Sequence, residues 1–120
     1  MSATATLVDH ERGLVVCERC VVAANPWRRL QGLLGRREIS SDEGLLLRPA
    51  AAIHTCFMRF SIDVVFLDRS LVVLGVVPAL GRWRAARRRG ARAVLELRAG
   101  ECERRGINPG DRLSLELMHA

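Results

Sequence analysis

Apolar residues recur along this chain in short runs separated by polar breaks, and the runs change period at one point. Leu7-Val8, Leu14-Val15-Val16 and Cys20 to Ala24 come first, joined by polar segments. Short runs rich in β-branched residues predict strands, and Glu18-Arg19 marks a bend between two of them. The period then shifts. Trp27, Leu30, Leu33 and Leu34 stand at helical spacing behind Asn25, a good N-cap, and Pro26, suited to the first helical position. Gly35 can close this helix, with Arg36 and Arg37 near the negative end of its dipole. Gly32 inside it costs helix stability, which points to a closely packed neighbour.

Strand-like runs resume after the polar SSDEG break. Leu45-Leu46-Leu47 stops at Pro49, and Val64 to Leu67 and Leu71 to Val77 flank Asp68-Arg69-Ser70, a hairpin turn. Ala93 to Leu97 predicts another strand, and residues 99–105 a short helix ended by Gly106. Asn108-Pro109-Gly110-Asp111 is a turn, with Pro supplying a fixed φ and Gly tolerating a positive one. Leu113, Leu115 and Leu117 then alternate as a half-buried last strand. About seven or eight short strands and two short helices predict an α+β fold, mainly antiparallel β and barrel-like.

Composition narrows this further. A chain of 120 residues is expected to form one domain, residues 1–120, burying roughly two-thirds of its unfolded surface. At 49% hydrophobic and 27% charged, with no repeat or low-complexity tract, it is globular rather than disordered. The MSATATLVDHERG start has neither the basic region nor the apolar core of a secretory signal. The longest apolar run, Leu71 to Ala79, is broken by Gly75 and Pro78, far short of the ~20 residues of a membrane-spanning helix. A cytoplasmic monomer with reduced cysteines is the expectation.

Charge is the least even feature. All 19 basic residues are Arg, and six of them, Arg82, Arg84, Arg87, Arg88, Arg89 and Arg92, lie in RWRAARRRGAR without an acid. The other 13 Arg balance 13 Asp plus Glu, so the net +6 belongs to one segment. Such a run reads as a solvated loop. It also offers a basic patch for an anionic ligand or an acidic protein partner, with nucleic acid less favoured because Ala85-Ala86 brings little base-reading chemistry.

HTCFMRFSID, residues 54–63, gathers most of the reactive side chains. Read as a strand, it puts His54, Cys56 and Met58 on one face, a soft ligand set. No established metal motif has this spacing, and Cys56 and Met58 suit a core, so neither metal nor cofactor is expected. Arg59 and Asp63 bracket Phe60-Ser61-Ile62. They could form an ion pair or cap a turn, or Arg59 could grip an anion while His54 or Asp63 moves a proton. Ser61 has no nucleophile elbow around it. Cys17-Glu18-Arg19-Cys20 is a C-x-x-C, but no second one exists and it lies between strand-type runs. Two ordinary cysteines fit it better than zinc or a redox pair.

With these residues laid out, the chain resembles the prokaryotic family called domain of unknown function 192. The likeness is carried by WRRLQGLLGR (Trp27 to Arg36), Gly44-Leu45-Leu46-Leu47, HTCFMRFSIDVVFLD (His54 to Asp68), and Ala93 to Gly100 with Gly106 to Asp111. It runs from about Val8 to Leu117. The resemblance implies a strand-rich domain and no established activity. Of the candidate residues, His54, Met58, Arg59 and Asp63 match the family's motif and become the expected ligand-binding positions. Cys56 and the C-x-x-C are not part of it. Many relatives carry an N-terminal signal or lipid anchor; none is read in the MSATATLVDHERG start, so an envelope location is not the expectation. The expectation is a binding or accessory module whose ligand or partner docks near His54 to Asp63. Two alternatives stand beside it. One is a small enzyme using His54, Arg59 and Asp63 for proton transfer on an anionic substrate. The other is a DNA-binding barrel, because Gly106 to Asp111 resembles turns in small swapped-hairpin barrels.

Overall fold

The structure, a computed structural model, describes residues 3–24, 38–56 and 58–117. Nine strands lie in these residues: β1 (Ala3–Asp9), β2 (Val15–Ala23), β3 (Glu43–Leu47), β4 (Ala52–His54), β5 (Ile62–Leu67), β6 (Val73–Leu80), β7 (Ala85–Arg87), β8 (Ala93–Arg98) and β9 (Leu113–Leu117). One short helix, α1 (Glu101–Arg105), is found among them. The other predicted helix falls on residues 25–37, outside the described residues. Seven strands form one mixed sheet in the order β6-β5-β8-β3-β2-β1-β9, and β4 and β7 form a separate two-stranded ribbon. Only β2 and β3 run parallel; the other ladders are antiparallel.

The expected barrel-like closure does not occur. The edge strands β6 and β9 approach at a single bridge, Val72 with Arg112. Leu113 N–H donates to the Leu71 carbonyl, and Val73 N–H to that of Asp111. Closing a barrel requires a continuous ladder across this seam. Leu71, at φ 62, leaves the extended region beside the bridge, while β9 runs on to pair with β1 instead. The sheet curls and stays open.

Its central strands are buried on both faces, which explains why their apolar residues run on instead of alternating with polar ones, with Asp63 in β5 and Glu96 in β8 as buried exceptions. Leu46, Val65, Leu67, Leu95 and Leu97 pack on one face with Leu7, Cys17, Cys102 and Ile107. Their alternates, Leu45, Leu47, Val64, Phe66 and Val94, pack on the other with Ile39, Ile53 and Met58. The second face is covered in part by the β4–β7 ribbon, since Ile53 and Ala86 both join that cluster.

The Glu18-Arg19 bend is a bulge inside one strand. Leu7 pairs with Cys17 and Ala5 with Cys20, so β2 spends an extra residue there. In a regular strand, residues three apart point to opposite faces. The bulge turns both Cys17 and Cys20 into the core.

Candidate functional site

The 54–63 stretch is not one strand. β4 ends at His54, and the chain turns before β5 begins at Ile62. Thr55, fully buried, takes over at the turn. Its hydroxyl donates to the Gly81 carbonyl and accepts from Arg84 N–H at 2.9 Å. Its backbone N–H donates to Arg84 O at 2.8 Å, and its carbonyl accepts from Trp83 N–H at 3.3 Å. Three residues on, the Met58 carbonyl accepts from Arg82 Nε at 3.1 Å.

Asp63 closes the set from inside β5. Its Oδ1 accepts from Ala79 N–H at 2.8 Å, and its Oδ2 from Gly100 N–H at 3.0 Å and Cys102 N–H at 2.9 Å. One carboxylate thus ties the end of β6 to the start of α1. It also sits beside the Cys102 thiol, whose pKa is pushed up first by burial and then by this charge. The motif and its partners hold the 79–84 loop in a conformation that it would not hold unaided. Ala79 at φ 48 and Trp83 at φ 57 both sit in the left-handed region, which costs a side-chain-bearing residue about 1 kcal/mol or more. Trp83 is carried at the surface, 57% exposed.

The four expected binding residues therefore divide. His54 and Arg59 are exposed, while Met58 and Asp63 are buried. They do not present one polar surface, and the Asp63 carboxylate is already engaged by backbone amides. The shared strand face for His54, Cys56 and Met58 does not form, because the strand stops at His54 before Cys56 and Met58. Among the described residues no three His, Cys, Asp or Glu side chains cluster as metal ligands would. Thr55 is the residue that sequence reasoning missed. A β-branched hydroxyl directly after a strand, ahead of a turn, was the signal available.

The basic segment is less loop-like than its composition implied. Ala85–Arg87 forms β7, registered as Ala52 with Arg87, Ile53 with Ala86 and His54 with Ala85. Arg88 N–H donates to Ala51 O at 3.1 Å, extending the ladder. Arg84, Arg87, Arg88, Arg89 and Arg92 are exposed, and none forms an ion pair among the described residues. Beside them runs a groove of about 710 Å³, lined mainly by apolar groups from Leu47, Pro49 to Ile53, Ala85 and Ala86, with His54 and Arg87 also in its wall.

The other charged groups are spent on the fold. Arg12 joins Asp9 at 2.9 Å and Asp111 at 3.2 Å, and donates to the Gly106 carbonyl at 2.8 Å. The backbone N–H of Arg12 on Asp9 first, and then the Arg12 guanidinium and the backbone N–H of Glu11, hold the Asp9 carboxyl below its ordinary range. Buried Glu101 accepts from Arg104 at 2.8 Å and Arg105 at 3.0 Å, which lowers its pKa too. Cys20 is pushed up by the neighbouring Cys17 thiol and by burial. It is a thiol at neutral pH, not a nucleophile.

Against this geometry, the family model DUF192 (Uncharacterized ACR) matches residues 8–115. The chain belongs to the DUF192 family. No curated protein matches it. A protein from Sinorhizobium meliloti 1021, described as a "putative transcription regulator", is similar in structure at TM-score 0.80 and 24% identity, over 96% of this chain and 94% of that one. A protein of unknown function from Novosphingobium aromaticivorans DSM 12444 is similar at TM-score 0.73 and 22% identity, over 94% and 84%. These two likenesses establish a shared fold and nothing of activity. No helix among the described residues is long and apolar enough to cross a membrane.

Proposed function

We propose that this DUF192 protein is a small binding module whose ligand docks on the face made by the β4–β7 ribbon and the 79–84 loop. The observation that carries this reading is where the motif's polar groups are used. Thr55, Met58 and Asp63 hold the loop and ribbon in position through backbone contacts, beside an apolar groove that His54 and Arg87 help to line. An apolar groove with a few polar groups at its wall is the usual form of a ligand site. In this reading His54 and Arg59 contact the ligand, and Met58 and Asp63 position the surface. The net positive segment favours an anionic ligand.

The enzyme reading loses support because a base needs a reachable lone pair, and the Asp63 oxygens are buried under three N–H donors. The DNA-binding barrel reading loses its starting point, since the seven-stranded sheet stays open and does not form a barrel.

Decanoate, an anion with an apolar stem, is a suitable first probe. Titrated into 15N-labelled protein, it is expected to shift amides of residues 50–54 and 84–88 and to leave β1 and β9 unmoved. Shifts scattered over every Arg-bearing surface would sink the proposal.

A further inference from the structure

The β4–β7 ladder has a consequence for what can dock beside it. Its hydrogen-bonded pairs are fixed by two contacts at its ends, Thr55 N–H to Arg84 O and Arg88 N–H to Ala51 O. Antiparallel pairs alternate between bonded and non-bonded. Ile53 with Ala86 is therefore bonded, while Ala52 with Arg87 and His54 with Ala85 are not. The N–H and C=O groups of Ala85 and Arg87 consequently point away from β4, along the outer edge of β7. Both residues are exposed, and neither backbone has another partner among the described residues. An open edge of this kind is a template for a further strand.

The chemistry around that edge selects what would add. Arg84, Arg87, Arg88 and Arg89 flank or belong to β7, and all are exposed without ion pairs among the described residues. A second copy of this chain would bring its own Arg87 against the first, so like charge opposes edge-to-edge self-pairing. An acidic strand meets complementary charge.

From the open edge and its charge we infer that β7 accepts an extended acidic peptide by strand addition. The proposal rests on the reading of this face as a docking surface, and it names the partner class as an acidic, unstructured protein segment. Backbone hydrogen bonds to Ala85 and Arg87 supply the register. Carboxylates at alternate positions of the added strand share a face with the Arg87 side chain, because side chains alternate across a strand with period two. The alternate side chains fall on the Ala86 face and can be apolar.

The probe is a fluorescein-labelled peptide of alternating Glu and Val, together with two variants, one N-methylated at every Glu and the other at every Val. An added strand turns only one set of amides toward β7, so one variant is expected to bind at least about tenfold more weakly and the other within about twofold. The Ala85 and Arg87 amides are expected to become protected from exchange in the complex. The inference is overturned if both methylated peptides bind like the parent, since charge alone then explains binding. It is equally overturned if both lose binding together, or if the two β7 amides gain no protection. A DNA duplex that displaces the peptide at lower concentration without protecting those amides would make the patch a nucleic-acid surface instead. Protection on self-association, seen as a dimer in sedimentation without peptide, would assign the edge to a second copy. Decanoate shifts confined to the groove, alongside any of these results, would leave the docking face standing and remove only the peptide.

Discussion

Asp63 shows how a residue can look reactive in a sequence and be structural in the fold. Near His54 and Arg59 it reads as a base, but nothing in the local pattern reveals that Ala79, Gly100 and Cys102 will all direct their N–H groups at it. Those partners lie 16 to 39 residues away. Asp63→Ala would unpair all three. Because Ala79 and Gly100 are exposed enough for water to replace the carboxylate, the expected loss is about 3 kcal/mol rather than three full desolvation penalties. Urea unfolding measures it, and a loss below about 1 kcal/mol would contradict the role given to Asp63. Gly44 makes the opposite case, a residue whose lack of a side chain is the point. A Cβ there would lie 2.7 Å from Cys17 Sγ, 2.9 Å from Leu97 Cδ2 and 3.2 Å from the Glu96 carbonyl. Gly44→Ala is expected to cost about 1–3 kcal/mol by overpacking between β2 and β8, read by the same unfolding curve.

At the scale of elements, strands with strong apolar periodicity were legible and those without it were not. β3, β5, β8 and β9 match their predicted runs, because their own side chains fill the core. β7 was hidden in a charged segment: Ala85–Arg87 becomes a strand only because β4 offers a partner, and that partner is chosen by tertiary structure. β4 was blurred for a related reason, since Thr55 ends it by reaching across to residues 81–84. Thr55→Val keeps the branched shape but removes the hydroxyl. The Arg84 amide loses its acceptor, and its hydrogen exchange is expected to accelerate at least about tenfold, while β5 and β8 amides keep their rates. Uniform acceleration across the sheet would mean that Thr55 matters for global stability and not for this loop.

Across the whole molecule, buried charge links parts that sequence could not connect. Arg105, from α1, reaches Glu18 of β2 at 2.7 Å and the Ser41 carbonyl at 2.8 Å while also holding Glu101. Glu101 and Asp9 both have pKa values below their ordinary 4.5 and 3.8 in the folded protein. The unfolded chain therefore binds protons first as pH falls. The stability these two carboxylates contribute is complete above about pH 5 and is lost as pH drops through 4.5 and 3.8 toward the lowered folded values. Urea midpoints measured against pH should be level near neutrality and decline below about 4.5. A midpoint unchanged down to pH 3 would contradict the linkage. The open sheet was the main misreading at this scale, because barrel closure depends on how two distant edges meet and not on any run of residues. The pairing of β1 with β9 carries one more implication, for how the protein is made. Leu7 lies opposite Leu115, so the outer side of β1 has no ladder partner until about a hundred further residues have been synthesised. At roughly 5–20 residues per second that leaves the first strand waiting on the order of ten seconds. Through that interval an exposed N-terminal edge is the nascent chain's point of vulnerability on the ribosome.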